Sequence, residues 1–462
     1  LAIPSVESET YRNSLMNWAE GRLVSSLALG SEQKQNETMK NTQQTNLKKS
    51  VTRRDFLKKS ALTAGGVAAV SQLPFVITGH AAPDTPIRVA LIGCGGRGSG
   101  AGGNVLEAGK VINEANPNVS IVSVVAVSLK KNEGAARRFR VPTEFCFSGF
   151  DAYEKAIGVP GVNYVILATP PGFRPAQLRE AVSNGKHVFM EKPVAVDGPG
   201  IRSVLKSHEI ADEKGLSVVA GTQRRHEDNY IETIKQIQDG KMGEVMYLKA
   251  YWNGGAIWHR GDNGATPMEV QMRNWYHYTW ICGDHIVEQH VHNLDVCNWI
   301  MGAHPVRAYG QGGRQGLGPD VSGEKWDHFA VEYEYENGVH MFSQCRQISG
   351  TQGNVSEFVV GTGGTSNPGG WIAPREGSRW RAPRGRSGYV QEHVDLINAV
   401  RTGQRINEAK TVAESTMTAI IGRESAYSGQ TVTWDDAMKW QTSIVPAKLA
   451  WGPAPEPKVP IP

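Results

Sequence analysis

Two stretches of the chain carry residue types at spacings that can do chemistry. Gly93-Cys94-Gly95-Gly96-Arg97-Gly98 sets glycines at the G-x-G-x-x-G spacing. Gly93 allows a tight turn, Gly95 lets the backbone approach a pyrophosphate, and Gly98 lets a helix pack close to a strand. The N–H groups at the helix start then face the phosphates. The second stretch, residues 283–295, concentrates titratable groups at Asp284, His285, Glu288, His290, His292 and Asp295. A spacing of four puts Glu288 and His292 on one helical face, one turn apart. Histidine titrates where proton transfer is useful. His285, Glu288 and His292 also stand at i, i+3 and i+7, a set that a zinc ion could use. Spacing alone leaves both readings open.

The elements that must position these residues are legible around them. Ile87–Ile92 is a short apolar run, the look of a buried parallel strand, and it feeds straight into the glycine loop. A second strand is expected at Ile121–Val127. Where an acidic residue would meet ribose hydroxyls, the chain reads Ser128-Leu129-Lys130-Lys131-Asn132, with Arg137 and Arg138 beyond. Cations without a carboxylate favour a 2′-phosphate, hence NADP over NAD. Asn163–Ala168 is a third strand and ends in Thr169-Pro170-Pro171. A helix at 175–184 leads to Gly185-Lys186-His187-Val188-Phe189-Met190-Glu191-Lys192-Pro193. A helix at 200–214 and a strand at 218–221 follow. This alternation implies a right-handed parallel sheet.

The second half has a different rhythm. Residues 244–251, 329–335, 339–345 and 355–360 have strand character. Asn337-Gly338 predicts a type I′ hairpin between the middle pair. Gly361–Ser387 is rich in Gly, Pro, Arg and Trp and predicts a long loop. Residues 390–401 and 408–428 predict helices that return to the first domain.

The glycine loop, Ala168-Thr169-Pro170, Gly185-Lys186-His187-Val188 with Glu191-Lys192-Pro193, and Gly283–Asp295 together resemble the glucose–fructose oxidoreductase / inositol dehydrogenase superfamily (Gfo/Idh/MocA). The resemblance runs from about residue 87 to 436, and Glu-Lys-Pro after such a strand is its most specific part. It implies an α/β fold: an N-terminal Rossmann domain (87–222), then a substrate domain (223–388) with an open, mostly antiparallel sheet. Helices at 389–436 return to the first domain, and a tail occupies 437–462. It implies a homodimer or homotetramer built on the outer face of that sheet. The cofactor site falls to Gly93, Gly95, Arg97, Gly98, Ser128, Lys130, Thr169, Pro170, Glu191 and Lys192. Oxidation of a carbinol needs a base for the hydroxyl proton, and the resemblance gives that role to His292. Lys192 would polarise the substrate oxygen. Glu288 stands where the family has Asp, and His290 where it often has Gly. Arg174 stands where many members have His. No metal is implied, because the nicotinamide is the oxidant. Substrate contacts are expected from Arg174, Arg224, His226, Trp275, Tyr276, His290 and Asp295. Aromatic rings suit the apolar faces of pyranoses, and Arg, Asn and His suit hydroxyls.

Charge places the rest. Lys and Arg total 49 against 45 Asp and Glu, and the whole excess lies in residues 1–81. The body is neutral, which argues against nucleic acid as a partner. Five cysteines do not make a disulfide scaffold. No apolar run reaches the roughly 18 residues of a membrane span. Thr52-Arg53-Arg54-Asp55-Phe56-Leu57-Lys58, a weakly apolar stretch and Gly79-His80-Ala81 resemble a twin-arginine secretion signal. Met39 begins a leader of ordinary length, so residues 1–38 are expected to be an upstream extension and 39–81 the signal. That route exports folded proteins to the periplasm, so the cofactor would travel tightly bound. The leading expectation is an NAD(P)-dependent oxidoreductase acting on a sugar or glycoside, with C3 the best guess. Two alternatives stand beside it. One is a glycoside hydrolase working through oxidation, elimination and re-reduction. The other is a non-catalytic nucleotide-holding sugar-binding protein.

Overall fold

The computed structural model describes residues 84–261, 264–318 and 321–456. The expected extension 1–38 and twin-arginine segment 39–81 lie outside the described residues.

A six-stranded parallel sheet has the order β3-β2-β1-β4-β5-β6. Its strands are β1 (Ile87–Ile92), β2 (Val119–Ala126), β3 (Cys146–Ser148), β4 (Tyr164–Leu167), β5 (His187–Met190) and β6 (Val218–Ala220). Helices cover both faces, so the central strands are apolar on both sides rather than alternating: all of β4 and all of β1 but Arg88 are buried. Each fully buried Ile or Val there stabilises by about 1.5–3 kcal/mol. The intervening helices are α1 (Gly96–Ile112), α2 (Leu129–Phe139), α3 (Ala152–Ile157), α4 (Arg174–Ser183) and α5 (Gly198–Glu213).

Then α6 (Asp228–Gln238) leads into a nine-stranded sheet of order β14-β13-β12-β11-β7-β10-β9-β8-β15. Its principal strands are β7 (Val245–Gly254), β8 (Arg307–Gly313), β9 (His328–Glu334), β10 (His340–Gln347) and β11 (Asn354–Gly361). Every neighbouring pair is antiparallel except β7 with β10. Between β7 and β8 lie α7 (Pro267–Arg273), α8 (Thr279–Cys282), a five-residue π-helical turn (Ile286–His290) and α9 (Val291–Met301).

Two expectations are corrected. The β9–β10 connection is not a type I′ hairpin. Only Gly338 takes a positive φ, +80°, and Asn337 does not. Tyr335 N–H donates to the Val339 carbonyl and Gly338 N–H to that of Tyr335, both at 2.9 Å, the pattern of a type I turn followed by a glycine bulge. Residues 361–387 are not one long loop. They hold β12 (Gly364–Asn367), β13 (Trp371–Pro374) and β14 (Trp380–Arg381), which extend one edge of the sheet. These strands are two to four residues long, too short for a period-two pattern to show through the Gly and Pro around them.

The chain then returns. α10 (Gly388–Thr402) lays Val394, Leu396, Ile397 and Val400 into the core formed by β1 and α1. Val218 N–H donates to the Ile406 carbonyl at 2.8 Å, and Glu408 N–H to that of Val218 at 2.9 Å, so residues 406–408 run along β6. α11 (Ala409–Ser428) shares the larger core with both sheets. The strand β15 (Val432–Thr433) and α12 (Trp434–Lys439) follow it.

Candidate active site

The carboxyl ends of β1 and β4 meet at the glycine loop, the place where a doubly wound sheet takes its ligand. Gly93 has φ +102°, and a Cβ on it would stand 2.5 Å from the Ala168 carbonyl carbon. A Cβ on Gly98 would stand 1.7 Å from the Gly93 oxygen. Neither position accepts any other residue. Gly95 is the reverse case, with nothing within 4 Å of where its Cβ would be. It caps α1 without any side-chain bond, so the first N–H groups of that helix keep their donors. Open backbone at Gly95 plus free helix-start donors fits a pyrophosphate. Arg97 leans back from the loop and pairs with Glu191 at 2.7 Å, over the Tyr389 ring. Glu191 therefore pins the loop through Arg97. At the end of β2, Ser128 caps α2, with Lys130 and Lys131 in its first turn. Burial, and then the charge of Arg260, pulls the Lys131 ammonium below its ordinary pKa, so two cations converge there.

Beyond β5, Lys192 crosses to the other domain. Its Nζ donates to the Glu288 carbonyl at 2.5 Å and lies 3.5 Å from Glu288 Oε1. The π-helical turn makes this possible, because a widened turn loosens the carbonyl ladder. The simple one-turn α-helical relation between Glu288 and His292 is thus replaced by a π turn running into α9. His292 stacks on Trp252 with ring centroids 5.8 Å apart, and its Nδ1 has no partner. Burial, reinforced by the charges of Lys192 and Arg224, drives the His292 pKa well down, so the imidazole is neutral. Burial raises Glu288, and Lys192 and Arg174 oppose the rise. Its Oε2 is also unpartnered. Tyr276 lies beside Glu288: it is buried, its hydroxyl accepts from Gln347 at 3.2 Å, and burial plus the nearby Glu288 keeps it protonated. Trp275 packs against Tyr276 and Trp258. Lys192, Glu288, His292, Trp252 and Tyr276 thus form one constellation. It holds a cation, a neutral base, a carboxyl with a free oxygen and two aromatic surfaces.

Several residues expected to meet substrate are committed elsewhere. Arg174 is buried and donates to the Thr169 and Pro193 carbonyls, so it ties the Thr-Pro loop to Lys192-Pro193. Burial lowers its pKa to about 10. Thr169 Oγ1 bonds Gln177 Oε1 at 2.6 Å. His290 turns to the sheet and meets Ser343 Oγ at 2.7 Å, with burial lowering its pKa to about 3. The turn Gln223–His226 gives each of three cations a buried or half-buried carboxylate. Arg224 takes Glu357, Arg225 takes Asp295 in a bidentate pair at 2.9–3.1 Å, and His226 takes Asp395 at 2.6 Å and Glu408 at 3.3 Å. Asp295 also accepts from Ser415 at 2.7 Å. Asp295, His226 and Arg224 thus hold ion pairs inside the fold. His285 Nδ1 faces Asp284 and the Trp326 carbonyl. Among the described residues no three His, Cys, Asp or Glu side chains converge for a metal ion. Glu357, Asp395, Glu408 and Tyr389 went unseen in the sequence. Each lies 100 residues or more from its partner, and no local pattern marks them.

Comparison with known proteins agrees with the two-domain fold. Residues 87–222 match the model of an oxidoreductase family with an NAD-binding Rossmann fold, and residues 230–366 match that of the GFO/IDH/MocA C-terminal domain. Together they cover more than half of the chain. A scyllo-inositol 2-dehydrogenase (NAD(+)) of Bacillus subtilis is 25% identical over 162 residues, 35% of this chain and 42% of that protein. A 2,7-anhydro-N-acetylneuraminate hydratase of Mediterraneibacter gnavus is 24% identical over 218 residues, 44% and 53% of the two chains. The chain thus matches about half the length of these relatives. Among solved structures, scyllo-inositol dehydrogenase from Lactobacillus casei with bound NAD(H) and scyllo-inositol superposes with TM-score 0.59 at 17% identity, over 75% of this chain and 99% of that one.

Proposed function

Because the chain belongs to the Gfo/Idh/MocA oxidoreductase family, we propose that it moves hydride between a ring carbinol of a sugar or glycoside, C3 foremost, and a nicotinamide that it keeps bound. The observation that carries this reading is the convergence of Lys192 with the neutral, unpartnered His292. A bound nicotinamide supplies the hydride acceptor, and everything else falls to the chain. His292 accepts the hydroxyl proton, which its depressed pKa permits at neutral pH. The Lys192 ammonium, held by the Glu288 carbonyl, stabilises the developing oxyanion. Glu288 uses its free Oε2 for a neighbouring ring hydroxyl. Trp252 and Tyr276 offer apolar surfaces to the ring.

The cofactor preference is for NADP, supported by Lys130, Lys131 and the converging charge of Arg260 with no carboxylate at the end of β2. Dissociation constants for the two nucleotides test it, and tighter NAD binding overturns it. Export to the periplasm by the twin-arginine route accounts for a resident cofactor, since free nicotinamide nucleotide is lacking there. Fractionation of an R53K/R54K variant tests the route. Homodimer or homotetramer formation is supported by the outer face of the nine-stranded sheet. There Tyr309 (61% exposed), Glu332, Phe342 (44% exposed) and Lys249 align across four strands. Light scattering of the native protein and of F342E tests it.

A second reading is a glycoside hydrolase that oxidises C3, eliminates across C2 and restores the hydride. One relative being a hydratase supports it. The leaderless protein, purified with its nucleotide and mixed with chromogenic glycosides, separates the two. Reduced nicotinamide without aglycone release means an oxidoreductase. Release without net reduction means the cycling hydrolase. Bound nucleotide with neither signal across the panel shifts weight to a silent sugar-binding protein.

A further inference from the structure

The chain past α12 packs against both domains. In the last turn of α12 itself, the Met438 carbonyl accepts from Arg202 Nη1 at 2.9 Å. Asp197 Oδ2 accepts from Ser443 Oγ at 2.6 Å and from Ile444 N–H at 2.9 Å, while its Oδ1 caps α5. These contacts fix the segment to the parallel-sheet domain. Some ten residues on, it reaches α7 of the other domain. Met268 N–H donates to the Gly452 carbonyl at 3.1 Å, and Gln271 Nε2 to that of Pro455 at 2.9 Å. Gln271 Oε1 in turn receives Trp280 Nε1 at 2.6 Å.

Between these anchors the segment builds a small separate core. Ile444, Val445, Leu449 and Ala454 pack against Met268, Tyr278, Trp280 and Ile281. The rings run in series: Trp451 lies 5.0 Å from Phe150, Phe150 6.3 Å from Phe173, and Phe173 5.9 Å from Trp280 in an edge contact. Phe150 follows the carboxyl end of β3, and Phe173 that of β4. Phe150 and Phe173 precede the neighbouring helices α3 and α4, so the rings meet at the carboxyl edge of the sheet, at the first turns of those helices. In a doubly wound sheet the dinucleotide lies at that edge.

We infer that residues 440–456 complete the dinucleotide site as a strap, with Trp451 clamping the Phe150–Phe173 pair beside the dinucleotide and slowing cofactor release. This rests on the reading above that the cofactor is resident. Residues 440–456, bonded to both domains, restrain the separation that release requires.

The test is the release rate of bound nicotinamide, followed by its fluorescence after rapid dilution of the loaded, full-length mature protein into charcoal. Trp451→Ala is the first variant. The ring is 48% exposed, so its removal leaves no hollow core. A second variant ends the chain after Lys448. Release at least about tenfold faster in both is expected, with the melting temperature of the nucleotide-free protein within about 2 °C for Trp451→Ala. Slow release from the unaltered protein and from both variants overturns the strap and leaves the resident cofactor standing. Release within seconds from the unaltered protein overturns both.

Discussion

The turn Gln223–His226 offers a prediction that can be worked through in numbers. His226 sits with Nδ1 2.6 Å from Asp395 on α10 and Nε2 3.3 Å from Glu408 at the start of α11. Burial opposes its charge, but the two carboxylates outweigh burial and raise its pKa to about 10. The unfolded chain titrates at the ordinary value of about 6.5. The ion triad then contributes its full stability below pH 6.5. Between 6.5 and 10 the native state holds one proton more than the unfolded state, so unfolding free energy falls by about 1.36 kcal/mol per pH unit. Over 3.5 pH units that is about 5 kcal/mol at most, from the raised value above. The Glu408 contact is long and off the hydrogen-bond line, so about 3–4 kcal/mol is expected between pH 6 and 9.5. Urea unfolding followed by tryptophan fluorescence at pH 6, 8 and 9.5, on the native chain and on His226→Gln, measures it. The stability gap between the two proteins must shrink steadily as pH rises. A gap that is the same at pH 6 and pH 9.5 would show that His226 is not charged in the fold.

Other perturbations have equally definite outcomes. Lys192→Met and His292→Asn should each cut kcat by about 10²–10⁴-fold while the nucleotide stays bound, as equilibrium dialysis would show. Gly98→Ala should abolish nucleotide binding, because its Cβ would stand 1.7 Å from the Gly93 oxygen, and calorimetry reports the loss directly. Asp295→Asn should destabilise by about 2–3 kcal/mol in urea, since it leaves the half-buried Arg225 guanidinium without its bidentate partner. Activity of the folded fraction should persist.

How much of this was legible beforehand depends on how local each signal is. The parallel sheet announced itself because strands covered on both faces are unbroken apolar runs, and the glycine loop because each glycine meets a steric demand inside one turn. Lys192, Glu288 and His292 were found through short motifs, and the structure brings them together. The residues expected to face substrate also hold bonds inside the fold that the sequence did not show. Arg174, Arg224, His226, His290 and Asp295 have the right chemistry for hydroxyls, but sequence does not show which cations are already neutralised. Glu357 takes Arg224, Asp395 and Glu408 take His226, and Ser415 donates to Asp295, all from far along the chain. The π-helical turn at Ile286–His290 was equally hidden, because a widened turn has no periodicity of its own over five residues. The short edge strands β12–β14 were missed for the same reason.

The return of the chain along β6 has a consequence for synthesis. The first domain has no finished surface until α10 covers Val89, Leu91 and Val105, and until residues 406–408 line its last strand. A ribosome that has made residues 87–222 has therefore made a half-open sheet with a bare apolar flank. Folding of that half must wait for translation to pass residue 408, and nucleotide loading can follow only after that. Splicing this cofactor domain onto another partner would fail for the same reason unless the returning helix went with it.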